Sequence, residues 1–342
     1  MPVLMLRTLV CSIAMLVAAQ PVFAFETAKM MEAFLGVVMV RGYNQTGGLA
    51  YGSGVVVGEN KVLTNCHVLR TTKQPWVSRG EDTYPITSVK ADAWHDLCLV
   101  STFSMPLKPV TLGKSTDLKR GQEVAAIGHS NGVPAPITSS GNVKALFDAD
   151  NGKIIRSTAR FTMGASGSGL FDMQGHLVGI NTFKTAGSGG SIHYALPIEW
   201  LEKLEKEPET TVFPVVGKAL WEEDEAKKPF YMQAAVPESR EDWPKLAQVA
   251  ENWTQAEPKN AEAWYALGLA NENLAKADLA QQAYQQAVNL DKGHFDALIH
   301  LGTIAKNKGD TSAMHRIQVS LNDIDKDLGA EYSEMMGCGK GC

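Results

Sequence analysis

The sequence predicts two domains of different class, an all-β domain followed by an all-α one. Between residues 36 and 186, short β-branched runs alternate with Gly, Asn and Asp turns, the pattern of a barrel or sandwich of many short strands. After about residue 241 those runs vanish and Ala, Leu and Gln dominate. A length of 342 residues fits two domains. Hydrophobic content of 44% with 20% charged residues is that of a folded chain rather than a disordered one.

Residues 1–24 read as a secretory signal. Arg7 supplies the positive charge, residues 8–19 are mostly apolar, and Val22-Phe23-Ala24 is a small-residue cleavage site with the cut after Ala24. The apolar run falls short of the roughly 20 residues of a membrane span. Export with cleavage, to the periplasm or beyond the cell, is therefore expected over a retained anchor. No small residue precedes Cys11, which argues against a lipoprotein, and no later stretch is long and apolar enough for stable membrane insertion. The β domain is expected over 25–206. FETAKMMEAFLG (25–36) suits a short helix. The runs GVVMVRGY, YGSGVVVG, NKVLTNCHV, DLCLVSTF, QEVAAIGHS, GSGLFDMQG and HLVGINTF follow as strands, and PIEWLEKLEK (197–206) switches to a helical pattern. Residues 207–240 read as a linker with some structure of its own, holding four prolines and an acidic run, Glu222–Glu225, expected to be a solvated face.

The helical domain is expected over 241–325. In 261–293, Trp264, Leu267, Gly268, Ala280, Tyr284 and Ala287 fall at the spacing of a tetratricopeptide repeat, which this stretch resembles. Gly268 and Ala280 would let two antiparallel helices approach closely while the larger residues fill the groove between them. The pattern restarts with Leu298, Leu301 and Gly302, and 243–258 suits the second helix of a preceding repeat, giving two to two and a half repeats. A protein partner of these repeats is expected. Residues 326–342 are left as a tail carrying CGKGC. The net charge of −5 and the lack of a long Lys/Arg run argue against nucleic acid as the partner.

Three stretches carry chemistry: GSGVVVGENKVLTNCHVL (52–69), HDLCLV (95–100) and MGASGSGLFDMQGHLVGINTF (163–183). His67 ends a strand entering a turn, which suits a general base facing a cleft. Asp96 opens an apolar strand, so its carboxylate needs a donor. Ser166 lies between glycines that permit a tight turn and close approach of a substrate. In this order the three stretches resemble trypsin-like serine proteases, most closely the bacterial HtrA-like (DegP-like) branch. KRGQEVAAIGHSNG (119–132) and GSIHYALPIEWL (190–201) extend the resemblance to roughly residues 34–206. It implies a double β-barrel and a catalytic triad of His67, Asp96 and Ser166 cleaving a peptide or protein substrate. The N–H groups of Gly164 and Ser166 would form the oxyanion hole. Ile180, Asn181 and Thr182 would pair with the substrate backbone as an added strand. No metal and no cofactor are implied.

The sequence departs from the family in places. Ser168-Gly169 follows the nucleophile turn where Gly-Pro is frequent, and Ala165 replaces the aspartate that digestive enzymes use to pair with a freed N-terminus. A PDZ domain usually follows in this branch, and here the repeats occupy that position. Relatives often trimerise through an N-terminal segment, so a homo-oligomer is compatible with the chain. Arg160, Lys184 and His193 fall near the expected specificity pocket and hint at an acidic residue before the scissile bond.

The resemblance also brings Cys66, just before the catalytic histidine, close to Cys98 near the aspartate. A disulfide clamping the two strands is expected, with two buried free thiols as the alternative. A metal site from Cys66, His67, His95 and Cys98 is disfavoured, because neighbouring residues on a strand face opposite ways. Cys338 and Cys342 permit a local disulfide. Two other functions stay open at this level. One is a catalytically silent protease fold acting through its repeats as a binding protein or chaperone. The other is an esterase on the same triad.

Overall fold

A computed structural model of the protein describes residues 21–339 and 341–342, so most of the expected signal segment lies outside the described residues. Helix α1 (Pro21–Leu35) covers the helix expected over 25–36 and leads into the first barrel. That barrel is built from β1 (Val37–Tyr43), β2 (Leu49–Gly58), β3 (Lys61–Asn65), β4 (Trp76–Arg79), β5 (Asp82–Asp92) and β6 (Leu97–Thr102), with the one-turn helix α2 (Cys66–Leu69) after β3. The order β5-β4-β1-β2-β3-β6 closes through a β5–β6 ladder. The second barrel uses β7 (Glu123–Gly128), β8 (Ile137–Ala149), β9 (Gly152–Ser157), β10 (Gly169–Asp172), β11 (Leu177–Gly187) and β12 (Gly190–Pro197) in the closed order β10-β11-β12-β9-β8-β7.

Strand alternation sorts the side chains into separate cores. In the first barrel Val38, Val40, Val56, Val62, Cys98 and Val100 form one cluster. Their strand neighbours Val37, Val55, Leu63, Leu97 and Leu99 instead join a larger core shared with the second barrel. Closure pairs most of the strand edges, and the short β13 (Glu209–Thr210) adds to β5. After β12 the expected helix over 197–206 shrinks to a 3₁₀ turn and the one-turn α3 (Leu201–Leu204).

The helical region departs from the expected boundaries at both ends. It begins inside the stretch expected as a linker, with α4 (Phe230–Ser239), and continues through α5 (Trp243–Ala256), α6 (Ala261–Asn273), α7 (Ala277–Leu290), α8 (Phe295–Lys308) and α9 (Thr311–Ile324). The expected tail holds α10 (Lys326–Met336). Three helix pairs with a closing helix therefore replace the expected two to two and a half repeats. Gly268 earns its place, since a Cβ there would lie 2.5 Å from the Tyr284 ring. Gly302 receives Tyr332 of α10 in the same way. The sulfurs of Cys338 and Cys342 lie at bonded distance in the tail that follows.

The helices are docked onto the second barrel. Tyr231 of α4 stacks on Phe147 of β8 at 4.5 Å, and Ala234, Leu246, Val249 and Trp253 join the shared core. Arg156 of β9 makes a two-pronged ion pair with Glu238 of α4. Further along, Arg120 pairs with Glu262 and Asp296, and Lys144 reaches Asp296 at 2.8 Å.

His294 sits behind this network with no exposed surface, and its Nδ1 accepts the Ala297 N–H at 3.2 Å, capping α8. Burial, helped by the nearby Arg120 charge, holds its pKa down at about 3. The unfolded chain therefore takes up a proton near pH 6.5 that the folded chain refuses until about pH 3, and stability falls as pH drops through that window. The expected loss from this group between pH 7 and pH 5 is about 2 kcal/mol. His294→Asn keeps a capping acceptor and should remove that share of the pH slope. Urea unfolding of both proteins at pH 7 and pH 5 checks it, and equal slopes would contradict it.

Candidate active site

The cleft between the barrels is assembled by short polar links across it. Ser53 of β2 is fully buried. Its N–H donates to the Ser166 carbonyl at 2.8 Å and its hydroxyl donates to the Gly164 carbonyl at 2.9 Å. The same hydroxyl accepts the His129 N–H at 2.9 Å. Ser53 of the first barrel thus holds the turn that carries Ser166 in the second. Gly167 makes the turn possible: its φ is +84°, and a Cβ there would lie 2.3 Å from the Ser53 carbonyl oxygen. Gly52 admits Val68 and the Ser166 carbonyl against the same point of β2, which brings the His67 helix and the Ser166 turn together.

His67 lies on α2 rather than at the end of a strand, because the chain turns into one helical turn after Asn65. Asp96 precedes β6 in a left-handed conformation (φ +56°) and is wholly buried. Its carboxylate accepts the His67 N–H at 2.8 Å and faces His67 Nδ1 at 2.6 Å. The Cys66 N–H donates to the Asp96 main-chain carbonyl at 3.2 Å. The Asn65 amide also donates to that carbonyl at 2.9 Å, and to the Thr182 hydroxyl at 2.9 Å. This arrangement fixes the imidazole with Nε2 left for the cleft, where its side chain is a quarter exposed. Ser166 is half-buried on the opposite wall and makes no hydrogen bond to His67 in this conformation. Catalytic hydrogen bonds are often long before substrate arrives. The N–H groups of Gly164 and Ser166 donate to no protein acceptor among the described residues.

Along the strand expected to receive a substrate, some main-chain groups are already paired within the protein. Ile180 pairs with Gly169 on one side and Leu196 on the other, and the Asn181 N–H and carbonyl are taken by Ser168 and Gly167. The β10 ladder stops at Ile180, so the open edge starts at Thr182 and runs toward Lys184. Of the three residues expected to mark an acidic preference, Arg160 and Lys184 are exposed. His193 is buried edge-on to Phe161 at 4.9 Å, and burial with the Lys184 charge lowers its pKa to about 4.

Cys66 and Cys98 have their sulfurs 2.09 Å apart, a bonded distance, which joins α2 to β6 directly behind the His67–Asp96 pair. With a sequence separation of 32, such a link stabilises by about 3–4 kcal/mol in the chain-entropy picture. Neither sulfur is then a free thiolate, and His95 lies apart, bonded to Asp92 at 2.7 Å and packed on Trp200. Among the described residues no group of three or more His, Cys, Asp or Glu side chains is arranged to hold a metal.

Sequence reading missed three residues of the site: Ser53, Asn65 and Arg70. Ser53 and Asn65 stand in the quoted GSG and TNCH stretches, but each has a partner more than 110 residues away, Gly164 for Ser53 and Thr182 for Asn65. Arg70 pairs with Glu222 and lies 3.8 Å from Asp96 Oδ1, so Glu222 is not part of a merely solvated acidic run as expected.

Parts of the chain are similar to known proteins. Residues 52–180 match the model of a trypsin-like peptidase domain, and residues 261–294 match that of a tetratricopeptide repeat. A probable periplasmic serine endoprotease, DegP-like, from Chlamydia pneumoniae is 30% identical over 51% of this chain and 38% of its own length. Serine protease HTRA1 of Xenopus tropicalis is 32% identical over 45% of this chain and 35% of its own. The solved HtrA-type protease AlgW with tripeptide is 28% identical, covers 53% of this chain and 62% of its own, and aligns with a TM-score of 0.48. The chain therefore spans less than two fifths of the length of the two curated relatives named here.

Proposed function

We propose that the chain is an exported serine endopeptidase whose helical repeats recruit a protein partner or substrate. The observation that carries this reading is the buried Asp96 carboxylate holding His67 by two hydrogen bonds, opposite a glycine-flanked Ser166 with two uncommitted N–H groups beside it. In the proposed reaction Ser166 Oγ attacks the peptide carbonyl and its proton passes to His67 Nε2. The Gly164 and Ser166 N–H groups hold the oxyanion. His67 returns the proton to the leaving amine, and water then cleaves the acyl-enzyme by the same route. Asp96 keeps the tautomer with the proton on Nδ1 and stabilises the imidazolium. The open edge at Thr182 favours an extended peptide over a simple ester. Export is supported by the signal-like N-terminus and by relatives named as periplasmic.

The test is digestion of reduced casein, with new N-termini identified by mass spectrometry. Wild type should produce a defined set of cuts, and Ser166→Ala should lower the rate at least about 10⁴-fold. Equal cutting by both proteins would remove the endopeptidase reading. Hydrolysis of nitrophenyl esters without any peptide cleavage would replace it with the esterase.

A further inference from the structure

The segment between β13 and α4 does not run free from barrel to helices. It crosses back over the first barrel on the His67 side. The Val215 N–H donates to the carbonyl of Leu69, the last residue of α2, at 3.3 Å. Gly217, at φ +128°, lies so close to the turn before Asp96 that a Cβ would meet the Ala93 Cβ at 2.4 Å. Ala219 is fully buried, and the Leu220 N–H donates to the Trp94 carbonyl at 2.9 Å. Glu222 closes the strap. Its carboxylate accepts the Ala219 N–H at 2.8 Å and pairs with Arg70, the residue that also lies against Asp96. Held at these points, Trp221 stands edge-on to the His67 ring, with centroids 5.4 Å apart and planes at 89°.

We propose that Trp221 is a specificity-determining residue of the endopeptidase site, forming the wall of the pocket beside His67 that takes an aliphatic side chain; the inference rests on the endopeptidase reading. A peptide added to the open edge at Thr182 is extended, so successive side chains face opposite ways. With the scissile residue turned toward His193 and Phe161, the residue before it is turned back across the cleft toward His67. There the half-buried indole offers apolar surface, and an aliphatic side chain laid against it leaves water. Glu222 and Arg70 act as the latch that keeps the indole in place. The strap belongs to the segment leading into the repeats, so this wall is supplied from outside the two barrels.

The test uses one peptide that wild type cleaves, resynthesised with Gly, Val or Leu before the scissile residue and read as kcat/KM in the full chain. Fluorophosphonate titration of Ser166 counts competent sites in each preparation. Wild type should prefer Leu over Gly by about tenfold or more, the range for an apolar pocket. Trp221→Ala should bring that ratio to within about twofold, chiefly through KM, and Trp221→Phe should restore most of it. Glu222→Gln, which keeps the ring but loosens the latch, should lower the ratio part-way and decides the matter if Trp221→Ala fails to fold. An unchanged ratio in Trp221→Ala, or in Glu222→Gln where the first variant is unfolded, would overturn the inference while leaving the endopeptidase intact. Absence of competent sites and of cleavage in wild type would sink the endopeptidase reading, and this inference with it.

Discussion

Asp96→Asn should lower kcat for peptide hydrolysis by about 10⁴-fold with the fold preserved. The size follows from geometry. Asp96 is buried, and its carboxylate receives both the His67 N–H and the imidazole Nδ1. An amide of the same shape would turn an N–H toward Nδ1, forcing the ring proton onto Nε2, the atom that must accept the Ser166 proton. It would also take the neutralising charge from beside Arg70, 3.8 Å away. Initial rates on titrated sites check this, with far-ultraviolet circular dichroism reporting the fold. A loss smaller than tenfold would mean that His67 does not depend on Asp96.

The largest expected effect on stability comes from the junction of barrel and repeats. Arg120 is mostly buried and pairs with Glu262 of α6 and Asp296 of α8. Burial works against its charge, and the Asp296 and Asp291 carboxylates oppose that. Removing one partner of a buried charge cluster strands the others, at a cost of about 3–5 kcal/mol. Lys144 still reaches Asp296, so Glu262 bears most of the loss in Arg120→Ala. The helices should then loosen from the second barrel. Limited trypsin digestion should open new cuts between residues 207 and 230, and a double-mutant cycle with Glu262→Gln should show coupling above about 0.5 kcal/mol. Additive effects of the two substitutions would show that the pair does not carry the junction.

How much of this was legible in the sequence depends on the distance over which each feature is determined. The strands legible in the sequence are runs such as GVVMVRGY, most of whose side chains are buried on both faces. Strands β5 and β8 are less legible because most of their residues are exposed or only half-buried and they contain Pro85, or Ser139, Ser140 and Gly141, residue types that suit turns. The three site stretches were visible because each is a local motif. Ser53 and Asn65 were not, since their importance lies in partners on the other barrel. The occupied edge at Ile180 and Asn181 was hidden too, because it depends on where β10 ends. The path of the linker is hidden for a related reason. Prolines and acidic residues usually mark a solvated connection, but Gly217, Ala219 and Leu220 are the small and apolar residues by which this one lies down beside Asp96 and His67.

The measurement that tests the central claim most directly is labelling of the folded chain with a fluorophosphonate probe, with the adduct mapped by mass spectrometry. An activated serine should carry the probe on Ser166 alone, and Ser166→Ala should carry none. Wild type that is folded and yet unlabelled, or labelled elsewhere, would contradict the account. Ser166 would then have no working base or oxyanion hole, and the function would have to be sought in the repeats.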